Sequence, residues 1–512
     1  MVAVCSFGSE TFYVSQSGGQ LVCNGASQST QSSSFFNASG NWANPKISGK
    51  IGPGDTVWLC GMFTGSVNSN ILTVQASGSS GSPITIKWDG AATLTSPACG
   101  QNNAACFYTN NKTWLLLDGG SSSPSITDTA NGTSLANQIN STALNAQSCN
   151  NCEIRNFAIT NMYAITGNSD PNELGVGIQV GCTSNTLVHD NSLDQMASPI
   201  SDGFCDGDTA DSFYNNTIDH FNHGIEIGNN GTQHVSNFLI YGNHLKNMVT
   251  WDTTNDYHHH DGIFFYQNTA VPNTVTNFYV YNNLADGDLG VDATAWVYYN
   301  SGLNGIYLFN NTFFNPQDRG VALVEGGYTG DQNFYIYNNY MDCGGTSNGE
   351  RAYQYGNGGT AVTGFTFVNN AIHNCGTYIY TNGVSLGRGT VDHNVYEAAC
   401  PGDGCFKWNN GGGQTFSQYR ASTGNDSNSL APNSVGANSI GQPQSGSAMI
   451  HDNTSHFQNL ASSCSGLLGP LCFDFSGNPR ARSGSNNWDS GGYVYGSNNI
   501  PAPPTGLAAV VE

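Results

Sequence analysis

One phrase recurs through the middle of the chain: alternating apolar residues, then Asn, then a break. It reads Asn185-Thr-Leu-Val-His-Asp-Asn, Phe213-Tyr-Asn-Asn, Phe238-Leu-Ile-Tyr-Gly-Asn, Phe278-Tyr-Val-Tyr-Asn-Asn, Ile306-Tyr-Leu-Phe-Asn-Asn, Phe334-Tyr-Ile-Tyr-Asn-Asn, Phe365-Thr-Phe-Val-Asn-Asn and Val391-Asp-His-Asn. The closing residues are Asn191, Asn216, Asn243, Asn283, Asn311, Asn339, Asn370 and Asn394, at intervals of 25, 27, 40, 28, 28, 31 and 24. Spacing of this order marks an array in which each unit buries its face against the next. Period-two alternation of β-branched and aromatic residues makes the unit a strand.

A second apolar run opens with Gly in several intervals, as in Gly224-Ile-Glu-Ile, Gly262-Ile-Phe-Phe and Gly320-Val-Ala-Leu-Val. Two or three short strands per turn, joined by Gly and Asn corners, describe an all-β chain wound as a single right-handed parallel β-helix. Asn suits the corner because it tolerates left-handed geometry and can bond the Asn of the next coil. A leucine-rich solenoid is the rival, but the connections lack helical periodicity and Leu is sparse.

A solenoid grows in one dimension, so 512 residues need not be divided into several domains. The expected organisation is an N-terminal strand and cap over 1–50, β-helix over 51–400, terminal coils and a C-terminal cap over 401–498, and a Pro-rich tail over 499–512. The cap is expected because the first coil would otherwise expose an apolar end and a sheet edge. The tail has the composition of a linker toward a further module.

Charged residues make up only 9%, and the net charge is -22 with 13 Lys and Arg. Nucleic acid and anionic membrane are therefore excluded as partners, since both require a basic face. The same charge weighs against a polyanionic sugar, unless a local basic cleft overrides it. No apolar run is long enough to span a membrane. Fifteen cysteines point to an oxidising compartment, hence a secreted or cell-surface protein, expected to be monomeric. No signal peptide shows at Met1-Val-Ala-Val, and removal of that segment is the expectation. The spacing suggests the pairs Cys99 with Cys106, Cys182 with Cys205, Cys343 with Cys375, Cys400 with Cys405 and Cys464 with Cys472. Cys149-Asn-Asn-Cys152 reads as a structural bridge or two buried thiols rather than a metal half-site.

Phe12-Tyr-Val-Ser, Gly54-Asp-Thr-Val-Trp-Leu and Gly81-Ser-Pro-Ile-Thr-Ile resemble the opening of secreted bacterial right-handed β-helix proteins of the pectate-lyase-like superfamily. Asp474-Phe-Ser-Gly-Asn-Pro-Arg and Trp488-Asp-Ser-Gly-Gly-Tyr-Val-Tyr are similar to their final coil. The resemblance implies the fold and carbohydrate chemistry, but that superfamily includes lyases, hydrolases, epimerases, esterases and binding proteins.

The interval from Asn243 to Asn283 is the long one. Its surplus, Trp251-Asp-Thr-Thr-Asn-Asp-Tyr-His-His-His-Asp261, must leave the solenoid as a loop, and such loops build binding sites. Trp251, Tyr257, His258 and His260, with Trp296 and Arg319, are the expected substrate-binding residues. Alignment on the Gly that opens the second strand places Asp202, His223 and Asp261 in one column at one corner. At about 4.8 Å per rung, Asp202 and Asp261 would stand roughly 9–10 Å apart with His223 between them. Glu226 should point outward, because Ile225 and Ile227 claim the core.

Carboxylates on one open face suit glycoside hydrolysis, in which one acid gives its proton to the leaving oxygen and another activates water or attacks carbon. Asp202, Glu226, Asp261 and His223 are therefore the expected catalytic residues of a polysaccharide-degrading hydrolase. Asn222-His223-Gly224 and Ser201-Asp202-Gly203 resemble segments of the polygalacturonase-like hydrolases, whose adjacent aspartate pair and Arg-Ile-Lys are missing here. The plainer reading of each Asp before Gly is a corner residue bonding its own backbone.

The rival enzyme is a uronate lyase or epimerase, with His223 or His260 as base and a cation drawn from Lys246, Arg319, Arg351 and Arg388. The non-enzymatic rival is a carbohydrate-binding or surface solenoid. No cofactor is required. His258 and His260 could converge on a metal, and Asp286-Gly-Asp-Leu-Gly-Val-Asp is a polar turn or, alternatively, a structural calcium loop held by Asp286, Asp288 and Asp292.

Overall fold

The computed structural model describes residues 8–100, 104–132, 139–165, 173–203, 205–229, 234–248, 260–267, 275–287, 293–299, 303–314, 320–324, 332–345, 351–355, 364–381, 390–397, 404–409, 411–450, 464, 466–480 and 488–496. The chain divides into two compact units, the first mainly residues 1–228 and the second mainly residues 229–249 and 259–512. Each is a parallel β-helix, the class expected from the Asn phrases.

In the first unit each coil from Thr56 onward gives one strand to each of three parallel sheets, and Thr11–Ser15 adds a first rung to one of them. The first sheet stacks Thr11–Ser15, Thr56–Leu59, Ile84–Trp88, Leu115–Asp118, Glu153–Arg155, Leu187–His189 and Ser212–Tyr214. The second runs from Met62–Thr64 to Thr217–Phe221, and the third from Leu72–Thr73 to His223–Asn229. Period-two geometry turns alternate side chains inward. Val57, Ile86, Leu117, Ile154, Val188 and Phe213 therefore form one fully buried column of the core.

The N-terminal end is covered. An antiparallel hairpin, Ser17–Cys23 with Ala26–Ser32, leads into a short helix, Ser33–Asn37, whose buried Phe36 meets Trp42 edge-on at 4.9 Å. Thr11–Ser15 is itself a rung of the first sheet, so the stack begins inside the segment expected to be cap.

The second unit repeats the three-sheet plan. Its first sheet includes Val275–Tyr281, Leu303–Phe309, Gln332–Tyr337, Thr366–Val368 and Thr390–Asp392. The Asn phrase resolves into a division of labour. Asn282, Asn310, Asn338, Asn369 and His393 take left-handed φ between 52° and 62°, turning the corner. The next residue, Asn283, Asn311, Asn339, Asn370 or Asn394, is buried and carries the ladder. Each of the first four donates its side-chain Nδ2 to the next ladder Oδ1, at 3.0, 3.0, 3.0 and 3.2 Å, and its backbone N–H to the same oxygen at 3.0 Å. The row stops where Asn394 Nδ2 reaches Asp426 Oδ1 at 3.1 Å and its N–H reaches Ser429 Oγ at 2.8 Å. Asn191 and Asn216 make the same bond in the first unit, at 2.9 Å.

The C-terminal segment closes over the corner row of the second unit. Buried Arg480 donates to Asn310 Oδ1 at 3.1 Å, and Asn369 Nδ2 donates to the Asp489 carbonyl at 3.1 Å.

Six disulfides lie among the described residues: Cys23–Cys60, Cys99–Cys106, Cys149–Cys152, Cys182–Cys205, Cys343–Cys375 and Cys464–Cys472. Four match the pairs expected from spacing, Cys149–Cys152 is a bridge, and Cys23–Cys60 was not foreseen. Cys405 is also disulfide-bonded, while Cys400 lies outside the described residues. No helix among the described residues is long and apolar enough to cross a membrane.

Candidate functional site

The corner column expected from the Gly alignment does not form. Gly203 opposes Gly228, not Gly224, so Asp202 opposes Ile227 and His223 lies four residues from the alignment that was expected. Period two from Ile200 turns Asp202 to the inner face, where it is 1% exposed between Val180 and Ile227. Its neighbours are acids. Burial first, then the charges of Asp211 and Asp208, push its carboxyl well above the usual range, and burial lifts Asp208 to about 6 and Asp211 to about 7. Asp208 accepts Thr183 N–H at 2.6 Å, and Asp211 accepts the Thr183 hydroxyl and Thr186 N–H. Asp202, Asp208 and Asp211 are thus core residues, each no more than 1% exposed.

In the second unit Asp261 shares the inward side of its strand with Ile263 and Phe265, opposite Ala295, and is fully buried. His260 is also fully buried, and so cannot line a substrate surface. Trp296 is no platform either: it is 0% exposed and its Nε1 donates to the Phe314 carbonyl at 2.9 Å. Trp251, Tyr257, His258, Arg319, Asp288 and Asp292 lie outside the described residues. Asp286 is bonded by His244 Nε2 at 2.7 Å, and the Arg351 guanidinium lies 4.4 Å over the Tyr380 ring. Glu226 does face outward, half-buried, accepting from Ser198 Oγ at 3.1 Å, and His223 is half-buried.

Aromatic, charged and polar side chains gather instead on the outer face of the first sheet in the first unit. Tyr13, Trp58, Lys87, Asp118, Arg155, His189 and Tyr214 occupy one register position on seven successive rungs. Lys87 Nζ lies 5.5 Å over the Trp58 ring. Arg155 bonds Asp118 through Nη2 at 3.2 Å and Glu153 through Nη1 at 2.6 Å. His189 stacks on Tyr214 with centroids 4.4 Å apart and 5° between planes. Its Nε2 faces Glu153 at 3.2 Å and its Nδ1 faces Asp190 at 2.7 Å.

The surroundings fix the charges. Bonding from His189 holds the Glu153 carboxyl below its usual range against the effect of burial, and Arg155 adds to this. Burial opposes ionisation of Asp118, but Asn156, the Gly120 N–H and Arg155 outweigh it, so its pKa is also lowered. Burial, then the charges of Glu153 and Asp190, push the Tyr214 hydroxyl up to about 12, so it stays a neutral donor.

Two hollows open along this wall. One, about 400 Å³, lies among Asn24, Trp58, Lys87, Asp89 and Asp118; the other, about 370 Å³, lies among Asn156, Asp190, Ser192, Asn215 and Thr217. They meet at Gly120 and Ser121. Gly120 is required there: its φ is +63°, and a Cβ would sit 2.5 Å from the Trp88 carbonyl oxygen.

No protein-family model and no curated protein sequence matches this chain. Several solved structures do. They include the catalytic unit of a GH87 alpha-1,3-glucanase from Streptomyces thermodiastaticus strain HF3-3, with 11% identity over 75% of this chain and 63% of that one, TM-score 0.38. Pectate lyase Pel9A matches with 12% identity over 96% of this chain and 97% of its own, TM-score 0.39. DFA-IIIase from Arthrobacter chlorophenolicus A6 matches with 12% identity over 66% and 77%, TM-score 0.36. The chain thus spans less than two thirds of the glucanase unit.

Sequence reasoning missed the outer column, although its signal was present. His189 and Tyr214 each stand two residues before a ladder Asn, on the face opposite Val188 and Phe213.

Proposed function

We propose that the protein is an extracellular polysaccharide-degrading enzyme of the glycoside hydrolase type, with its substrate lying along the outer face of the first sheet in the first unit. The observation that carries this reading is the seven-rung outer column with two hollows beside it that share Gly120 and Ser121 in their walls. Six rung spacings of about 4.8 Å give a wall about 29 Å long, room for several sugar rings. Aromatic bodies at Tyr13, Trp58 and Tyr214 pack on sugar C–H faces, while fixed polar groups take the hydroxyls.

Asp89, Asp118 and Asp190 line the hollows, against Lys87 as the one cation among the described residues of their lining. Carboxylates accept from sugar hydroxyls and repel uronates, so a neutral polysaccharide is the better substrate. Hydrolysis needs one carboxylate that stays charged and one group that yields a proton. Glu153, held ionised by His189 and Arg155, fits the base or nucleophile. For the proton donor we assign Asp190, whose side chain is 46% exposed at the second hollow. His189 spans the two.

The test is a screen of neutral and uronic polysaccharides with product analysis, on wild type and on Glu153→Gln, Asp190→Asn and Glu226→Gln. Reducing ends should appear without the ultraviolet absorbance of an unsaturated sugar. Glu153→Gln should lower kcat by about 10²–10⁴-fold. An unsaturated product would mean elimination. Loss of turnover in Glu226→Gln alone would move the site to the third sheet, and binding without turnover would leave a recognition module.

A further inference from the structure

The outer face of the second sheet in the first unit carries its own column, unrelated to the groove. Read coil by coil it is Thr64, Thr95, Thr127, Thr160, Asp194 and Asp219. Four rungs present hydroxyls; the last two present carboxylates in direct register, about one strand spacing apart. Like charges placed opposite one another on neighbouring strands destabilise a sheet unless something lies between them.

The residue that lies between them is His220. With φ at 49° it turns its ring back across the two strands, and one atom, Nδ1, stands 2.8 Å from Asp194 Oδ1 and 3.4 Å from Asp219 Oδ1. A single ring nitrogen carries at most one hydrogen, which faces Asp194, while Asp219 Oδ1 takes the His220 backbone N–H at 3.1 Å. Elsewhere the histidines use opposite ring atoms for two acids: His189 spans Glu153 and Asp190, and His373 spans Asp342 and Glu397 at 3.1 and 3.3 Å. Such a ring holds its acids too far apart to share an ion.

At His220 the three ligand atoms converge, all within 4.8 Å of one another. Two donors each about 2.0–2.1 Å from one metal ion lie about 2.9 Å apart at a right angle and about 3.4 Å apart at the tetrahedral angle. The two nitrogen–oxygen separations fall at or near those limits. The side chains of Asp194, Asp219 and His220 are 40%, 24% and 43% exposed, which leaves the outer positions to water. One imidazole with two carboxylates suits zinc or a similar first-row ion better than calcium, which takes oxygen donors.

We propose that Asp194, Asp219 and His220 bind a divalent transition-metal ion of the zinc type that clamps two successive coils together.

The test uses the full chain, treated with chelator and then titrated with Zn²⁺ in a calorimeter, alongside Asp194→Asn, Asp219→Asn and His220→Asn. Asn keeps the size of the acids and tolerates the left-handed backbone at 220. Wild type should bind Zn²⁺ and gain thermal stability with increasing metal. Each variant should lose that binding event and the accompanying rise in Tm, while its Tm without metal stays near that of metal-free wild type. The proposal falls if wild type shows no Zn²⁺-dependent rise in Tm, if all three variants bind Zn²⁺ as wild type does, or if Ca²⁺ binds there in preference to Zn²⁺.

Discussion

Replacing Asn311 by Ala tests the buried amide row most directly. The Asn311 side chain donates to the Val280 carbonyl at 2.9 Å and to Asn339 Oδ1 at 3.0 Å, and accepts both the backbone N–H and the Nδ2 of Asn283 at 3.0 Å. Asn339 Oδ1 keeps the Asn311 backbone N–H. Three groups are then stranded in the dry interior, the Asn283 N–H, one hydrogen of its side chain and one lone pair of the Val280 carbonyl, while Asn339 Oδ1 loses one of its two donors from residue 311. At about 1–3 kcal/mol for each stranded buried group, with partial relaxation, the loss is about 3–6 kcal/mol. That is a large share of the margin by which most proteins stay folded. The measurement is a urea midpoint together with amide exchange at Asn283, because a coil of a solenoid can open locally before the whole unfolds. The comparison is Asn277→Gly, which removes an exposed amide bond to Asn237 at a site with φ of 58° that Gly accepts. It should cost no more than about 0.5 kcal/mol. If Asn311→Ala costs under about 1 kcal/mol and the Asn283 amide stays protected, the row does not hold the coils together.

Trp58→Ala should raise KM for the polysaccharide about tenfold with kcat little changed, because it strips an aromatic wall from the first hollow without touching Glu153; steady-state kinetics decide it. Opening Cys23–Cys60, which closes 37 residues, should cost about 4 kcal/mol, against about 2 kcal/mol for Cys149–Cys152, which closes 3, by loop entropy. Equal losses for the paired Ser variants in urea melts would contradict that account. Stability should also fall as pH rises from about 4 to about 7. Burial lifts Asp128 and Asp211 to about 7 and Asp208 and Asp426 to about 6, so the folded chain holds protons that the unfolded chain has released. His373, raised by Asp342 against the effect of burial, adds stability that is full below its unfolded pKa of 6.5 and is lost only above it, as pH passes through the raised folded pKa. Glu10, pulled down to about 2 by Lys46, acts oppositely and only below about pH 4. A urea midpoint higher at pH 8 than at pH 5 would show the sign to be wrong.

The fold was legible because its repeat is written in residues with a single structural use. A buried Asn after an alternating run is costly anywhere but in a ladder, so Asn283, Asn311, Asn339 and Asn370 announce both the strand and its register. The site was harder to read because Gly is a poor ruler. Gly203 and Gly224 looked equivalent, yet Gly228 is the residue that pairs with Gly203. Parity from Ile200 already assigned Asp202 to the interior, by the same reasoning that correctly turned Glu226 outward. Applied to the residue two before each ladder Asn, that parity would have found His189 and Tyr214. Asp118 and Arg155 join them only through pairings between strands dozens of residues apart, which local pattern does not supply.

The side-chain relay of the second unit has a direction. From Asn283 to Asn370 each amide donates forward, so every coil presents the same acceptor behind and the same donors ahead. A turn of chain can therefore be excised or duplicated without rewriting its neighbours, provided the cut falls between equivalent places. Extension past Asn394 is another matter, because Asp426 ends the relay with an acceptor that has no amide to pass on. Length in this solenoid is thus free to vary internally and is fixed at one end by the pair Asp426 and Ser429.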